Sequence, residues 1–120
     1  MSQSLPRLHG IPNCDTVKRA RAWLNEQGVA HEFVDFKKAG AAEADLKRWS
    51  AAVGWDKLLN RQGTTWRKLD PAVQQTVVGA DSAVSLMHQQ VSVIKRPVVD
   101  WPDGRTTVGF SPEAWAGHIR

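Results

Sequence analysis

The sequence predicts an α/β fold: one mixed four-stranded sheet with helices, interrupted by a helical insertion. Three observations carry this. A short apolar run, an amphipathic helix and a second β-rich run follow one another at the start, within about the thirty residues of a βαβ unit. The middle, approximately 40–90, carries helical patterns and loops. Near the end, two apolar runs flank a Pro-Asp-Gly turn and lead into a helix start, which is a hairpin followed by a helix.

Taken in order, "RLHGI" (7–11) is short and partly apolar and stops at Pro12, as a buried strand entering a loop does. From Val17 the apolar positions Val17, Ala20, Trp23 and Leu24 form a helical stripe, with Lys18, Arg19, Arg21 and Glu26 elsewhere. Gly28 suits the residue just past a helix end. "HEFVDF" (31–36) reads as a strand parallel to the first, joined by a right-handed crossover. "AEADLKRWSAAVG" places Leu46, Trp49 and Val53 on one helical face and ends at Gly54. "WDKLLN" reads as a turn of helix and "RQGTTW" as a loop. Asp70 and Pro71 open a helix as N-cap and first residue, and "ADSAVSLMHQQ" gives another, with Val84, Met87 and Val91 inward. Ser111, Pro112 and Glu113 open the last helix. The order βαβ, helices, ββα is the thioredoxin arrangement with an insertion. With 120 residues and no linker or repeat, the chain is expected to form a single domain, 1–120.

The chain has no apolar run near 18 residues, and its first residues lack a signal-like stretch. One cysteine forms no internal disulfide, so a reducing cytoplasm is the expected location. The net charge of +4 is spread along the chain rather than clustered in a stripe, which disfavours a nucleic-acid partner. One Cys and four scattered His form no zinc-ligand spacing. Six Trp and no Tyr read as core, Trp66 and Trp101 included.

Cys14, in "GIPNCDTVKRA", is the candidate nucleophile. It lies where a strand hands over to a helix, and a helix N-terminus stabilises a thiolate. A small buried thiol filling a gap is the competing role. Position alone leaves both open. A dithiol site needs a second Cys where Val17 stands, and a phosphatase-type loop needs an Arg where Ala20 stands. Both are excluded. A His partner would come from His9, His31, His88 or His118; His9 is nearest in sequence and reads as a strand side chain pointing away. In "VIKRPVV", Arg96-Pro97 is a candidate cis bond at a strand start, and Arg96 offers a five-donor fork to an anion.

"LHGIPNCDTVKRARAWL", "LLNRQGTTWRKL", "VSVIKRPVV" and "VGFSPEAW" together resemble the glutaredoxin-coupled arsenate reductase (ArsC) family, and within it the Spx/YffB-like branch. The resemblance runs from about Leu8 to Trp115 and implies a thioredoxin-like fold with a helical insertion. It implies Cys14 as the nucleophile, with Arg61 and Arg96 as two of three oxyanion-holding arginines. The third falls near Gly109, with Arg105 across the turn but not aligned, and the histidine that tunes the family's thiol falls at Gly10. The branch implies a monothiol reductase with glutathione as cosubstrate, no bound cofactor and glutaredoxin as a further partner. Arg61 and Arg96 would hold glutathione carboxylates or an oxyanion, and Pro97 would flank the disulfide. Asn13 and Thr16 are expected to add hydrogen bonds or to cap the helix. Two alternatives follow from the same family: a glutaredoxin-coupled arsenate reductase, and a regulatory module binding RNA polymerase. The missing thiol at Val17 weighs against the latter.

Overall fold

The computed structural model describes residues 5–119. In chain order the elements are β1 (Arg7–Gly10), α1 (Asp15–Glu26), β2 (Glu32–Asp35), α2 (Phe36–Ala39), α3 (Glu43–Val53), α4 (Trp55–Leu58), α5 (Thr64–Arg67), α6 (Pro71–Gln75), α7 (Ala80–Gln89), β3 (Val98–Asp100), β4 (Thr106–Val108) and α8 (Pro112–Ala116). A 3-10 turn, Val91–Val93, lies between α7 and β3. The chain falls into two units. One holds the sheet and runs to Asp35, resuming at Arg96; the other is the helical segment Phe36–Lys95.

In the sheet unit the strand order is β2-β1-β3-β4. β1 pairs parallel with β2 and antiparallel with β3, and β3 pairs antiparallel with β4. This is the mixed four-stranded sheet of the thioredoxin-like fold. The register sets Leu8 opposite Phe33 and Val99, and His9 opposite Val34 and Val98. Alternation then sends Leu8 to one face and His9 to the other. On the Leu8 face, Val17, Ala20 and Leu24 of α1 join Val99, Trp101 and Trp115 in one buried cluster. The rings of Trp101 and Trp115 meet edge to face, with centroids 5.1 Å apart, and those of Trp23 and Trp115 at 6.1 Å. Gly28, just past α1, has φ +70°, a conformation that side chains disfavour. On the other face, His9 is buried, and its Nε2 lies 3.3 Å from Asp100 Oδ2.

In the helical unit α3 packs on α7, with Leu46, Trp49, Val84 and Met87 buried. Phe36 stacks edge to face on Trp49 at 6.1 Å. Asp70 caps α6 by accepting the Ala72 N–H at 2.9 Å, with Pro71 in the first turn as expected. An isolated bridge joins Leu59 to Ile94, and its flanks are tied by Asn60 N–H to the Val93 carbonyl and Lys95 N–H to the Leu58 carbonyl, both 2.8 Å.

Several expectations are corrected. β1 stops at Gly10 rather than residue 11, and α1 begins two residues before Val17, because Cys14 takes the cap position. The second strand ends at Asp35. Phe36 opens α2 instead, where its ring is buried against Trp49. "RQGTTW" is not all loop: Thr64–Arg67 makes a helical turn. So short a helix is unfavourable alone; here the Gln74 side chain donates to the Trp66 carbonyl at 2.7 Å and ties it down. Trp66 is only half-buried, unlike Trp101, and so are Val53 and Val91. The Val91 position belongs to the 3-10 turn rather than to α7.

Candidate active site

The site is built at the junction of β1 and α1. Pro12 and Asn13 form an exposed turn after the buried Ile11. Cys14 follows as the N-cap of α1, with extended backbone (φ −134°, ψ 123°). Its carbonyl accepts the first helical bond, from the Lys18 N–H at 2.9 Å. A cap side chain faces the N–H groups two and three residues on, which have no carbonyl of their own to bind. At Cys14 that side chain is a half-buried thiol. It makes no capping hydrogen bond of ordinary length, yet the Val17 and Thr16 N–H groups are near enough to favour its ionised form.

Burial pushes the Cys14 thiol up, and this is the largest single influence on it. The opposing influences together outweigh it. They are the Val17 N–H, a hydrogen bond and the positive charge of the Arg96 guanidinium, and the Thr16 N–H. The net result lies below the ordinary thiol value. A purely apolar pocket would raise the thiol; at Cys14 the N–H groups and Arg96 act the other way.

Arg96 reaches Cys14 because the chain enters β3 beside β1. The Arg96-Pro97 bond is cis, and Pro97 is buried. The Pro97 carbonyl accepts the Gly109 N–H at 2.9 Å. Gly109 itself has φ +84°, a left-handed conformation in which an arginine would be strained. The position that the resemblance gives to a third arginine is thus held by a residue chosen for its backbone. Arg105 does not replace it: it lies exposed in the β3–β4 turn, where its N–H donates to Asp103 Oδ1 at 2.9 Å. Arg61 belongs to the helical unit, exposed, with its guanidinium 5.4 Å from the Trp55 ring centroid.

The capping expectation for Asn13 and Thr16 is corrected. Asn13 is exposed and precedes the cap, while Thr16 is the second residue of α1 and its Oγ1 accepts from Arg19 at 3.4 Å. What Thr16 supplies to the sulfur is its backbone N–H. His9 is turned to Asp100 on the other sheet face, as the sequence reading had it. The sequence places Val17 on the apolar stripe of the helix and where a second thiol is missing; in the structure its backbone N–H also faces the Cys14 sulfur and lowers the thiol. The signal for it was the cap position of Cys14, which selects the N–H two and three residues on whatever their side chains. Among the described residues no group of three or more His, Cys, Asp or Glu is placed to hold a metal ion, and no helix is long and apolar enough to cross a membrane.

Comparison with known proteins gives this arrangement its context. The ArsC family pattern matches residues 9–117. The chain belongs to the ArsC family. An uncharacterized protein of Haemophilus influenzae is 34% identical over 108 residues, which cover 90% of this chain and 93% of that one. The solved structure of the YFFB (PA3664) protein superposes with a TM-score of 0.90 at 47% identity, covering 96% of this chain and 99% of that one. An arsenate reductase (ArsC) related protein from Brucella melitensis gives a TM-score of 0.74 at 42% identity over 100% of this chain and 98% of that one. The ArsC-family match spans both Cys14 and Arg96, and the YffB-like likeness read from the sequence is present in the fold.

Proposed function

We propose that this protein is a glutathione-dependent monothiol reductase with Cys14 as its nucleophile. The observation that carries the reading is the lowered thiol of Cys14, held by two helix N–H groups and Arg96. Membership of a family that includes arsenate reductases supports thiol chemistry in general terms.

The Cys14 thiolate attacks the glutathione sulfur of a mixed disulfide R–S–S–G. A Cys14–glutathione disulfide forms, and R–S⁻ leaves and takes up a proton. A second glutathione thiolate attacks the glutathione sulfur of that adduct, releasing Cys14 as thiolate and oxidised glutathione. With Val17 where a resolving cysteine would stand, the second thiol comes from outside. Arg96 holds a glutathione carboxylate or the developing thiolate, and Pro97 flanks the disulfide. Arg61, Asn13 and Thr16 are the remaining contacts of this reading, each tested by its own alanine variant.

The experiment is turnover of a small glutathione mixed disulfide with excess glutathione, followed by release of R–SH, for wild type and Cys14→Ser. Turnover that is lost in Cys14→Ser is expected. No turnover and no trapped glutathione adduct would remove the reading. Arsenate reduction is the second reading, favoured by the arginine beside the thiol. With Gly109 and Gly10 at two positions that the family uses, arsenate is expected to turn over slowly or not at all in the same assay.

A further inference from the structure

Gly10 ends β1 four residues before the reactive cysteine, and it lies against α1. A Cβ built on Gly10 would sit 2.8 Å from Val17 Cγ2 and 3.4 Å from Cγ1. The first distance is shorter than packed carbon atoms tolerate. Val17 has no room to yield: it is 1% exposed and belongs to the buried cluster beneath the sheet. Its β-branch also leaves it essentially one rotamer in a helix. A side chain at position 10 would therefore move the first turn of α1 rather than a side-chain tip. That turn carries the N–H groups of Thr16 and Val17.

We propose that Gly10 is a positioning residue for Cys14: its missing Cβ lets Val17 seat directly on β1, and this seating sets the Thr16 and Val17 N–H groups at the Cys14 sulfur. The proposal rests on the reading of Cys14 as a stabilised thiolate, and it assigns to a packing contact what the resemblance would give to a histidine at this position. Gly10 touches no reacting atom. It acts through Val17.

The test is the pH dependence of Cys14 alkylation in wild type, Gly10→Ala, Val17→Ala and the double variant, with folding checked by denaturant melting. In Gly10→Ala the midpoint moves up and the rate at neutral pH falls about two- to fivefold, the scale of a helix-terminus interaction. Val17→Ala keeps the N–H and removes the clashing methyls, so the double variant regains the wild-type profile. If Gly10→Ala does not fold, a folded double variant with the wild-type profile supports the proposal equally. A folded Gly10→Ala with an unchanged midpoint overturns it, and so does a double variant that fails to fold or keeps the raised midpoint. A wild-type profile no lower than a free thiol would instead remove the reading of Cys14 itself, which keeps the two failures apart.

Discussion

At the residue scale, the Cys14 thiol is lowered by the helix N–H groups, Val17 first, and by one guanidinium that arrives from far along the chain. Arg96 supplies both a hydrogen bond and a charge to Cys14. Its removal in Arg96→Ala is expected to slow alkylation of Cys14 at neutral pH roughly fivefold, equivalent to about 1 kcal/mol. Arg96→Lys, which keeps the charge and loses the fork, falls between. Equal rates for wild type and Arg96→Ala would show that the helix N–H groups act alone. His9 is the contrasting residue. It is close to Cys14 in sequence, yet it is buried against Asp100 on the other face of the sheet. His9→Ala is expected to destabilise the fold by about 2 kcal/mol through lost packing and a lost buried hydrogen bond. The alkylation profile of Cys14 stays at the wild-type midpoint. A shift in that profile would place His9 in the site after all.

At the element scale, the residues just after α8 are fastened to the β3–β4 turn through His118. His118 follows α8, stacks on Trp101 with centroids 4.9 Å apart, and its Nδ1 lies 2.9 Å from Asp103 Oδ2. The Asp103 carboxyl is held below its ordinary value, chiefly by the Arg105 N–H, against a small burial penalty and with help from His118. A carboxyl lowered in the folded state adds stability above its unfolded pKa and loses it as pH falls through the folded one. Asp103→Asn is therefore expected to be less stable than wild type at neutral pH, with the gap closing in acid. Thermal melting across pH 2 to 7 checks this. The effect is modest, because the carboxyl is well exposed and water screens it. A gap that persists unchanged in acid would mean that the turn, not the charge, is what Asp103 supports. α1 shows the complementary case: its stripe of Val17, Ala20 and Leu24 follows from sequence period, while the candidate nucleophile Cys14 caps its N-terminal end.

At the scale of the whole molecule, charge is divided unequally. The helical segment Phe36–Lys95 carries nine Lys and Arg against five Asp and Glu, while the rest of the chain has seven of each, so the formal +4 resides in the helical segment. At low salt such a field extends about 30 Å, and near physiological salt about 8 Å. With a net charge of +4 on the chain and Arg96 beside the Cys14 sulfur, anionic thiol reagents are expected to modify Cys14 faster than neutral reagents of the same chemistry, with the ratio falling as salt rises. Iodoacetate against iodoacetamide over a salt series measures this. A ratio independent of salt would leave Arg96 as the only source of anion preference.

The local events were legible in the residues. The helix stripe of α1, the Asp70-Pro71 and Ser111-Pro112 helix starts, the Pro-Asp-Gly hairpin and the cap-like place of Cys14 each depend on neighbours a few positions apart, and all are present. Phe36 and "RQGTTW" were misread because their states depend on partners outside their own stretch, the Trp49 ring and the Gln74 side chain. The same limit applied to the site. The family motifs named Cys14 and Arg96, but the lowered thiol required the antiparallel pairing of β1 with β3, which brings a residue from position 96 to one at position 14. The fit of Val17 against Gly10 likewise appears only when helix and strand are packed. Sequence by itself determined which groups were available, since period, caps and turns are short-range properties of the chain. Tertiary structure decided which of those groups meet, because a thiolate is stabilised by distance and direction, and both are set by packing.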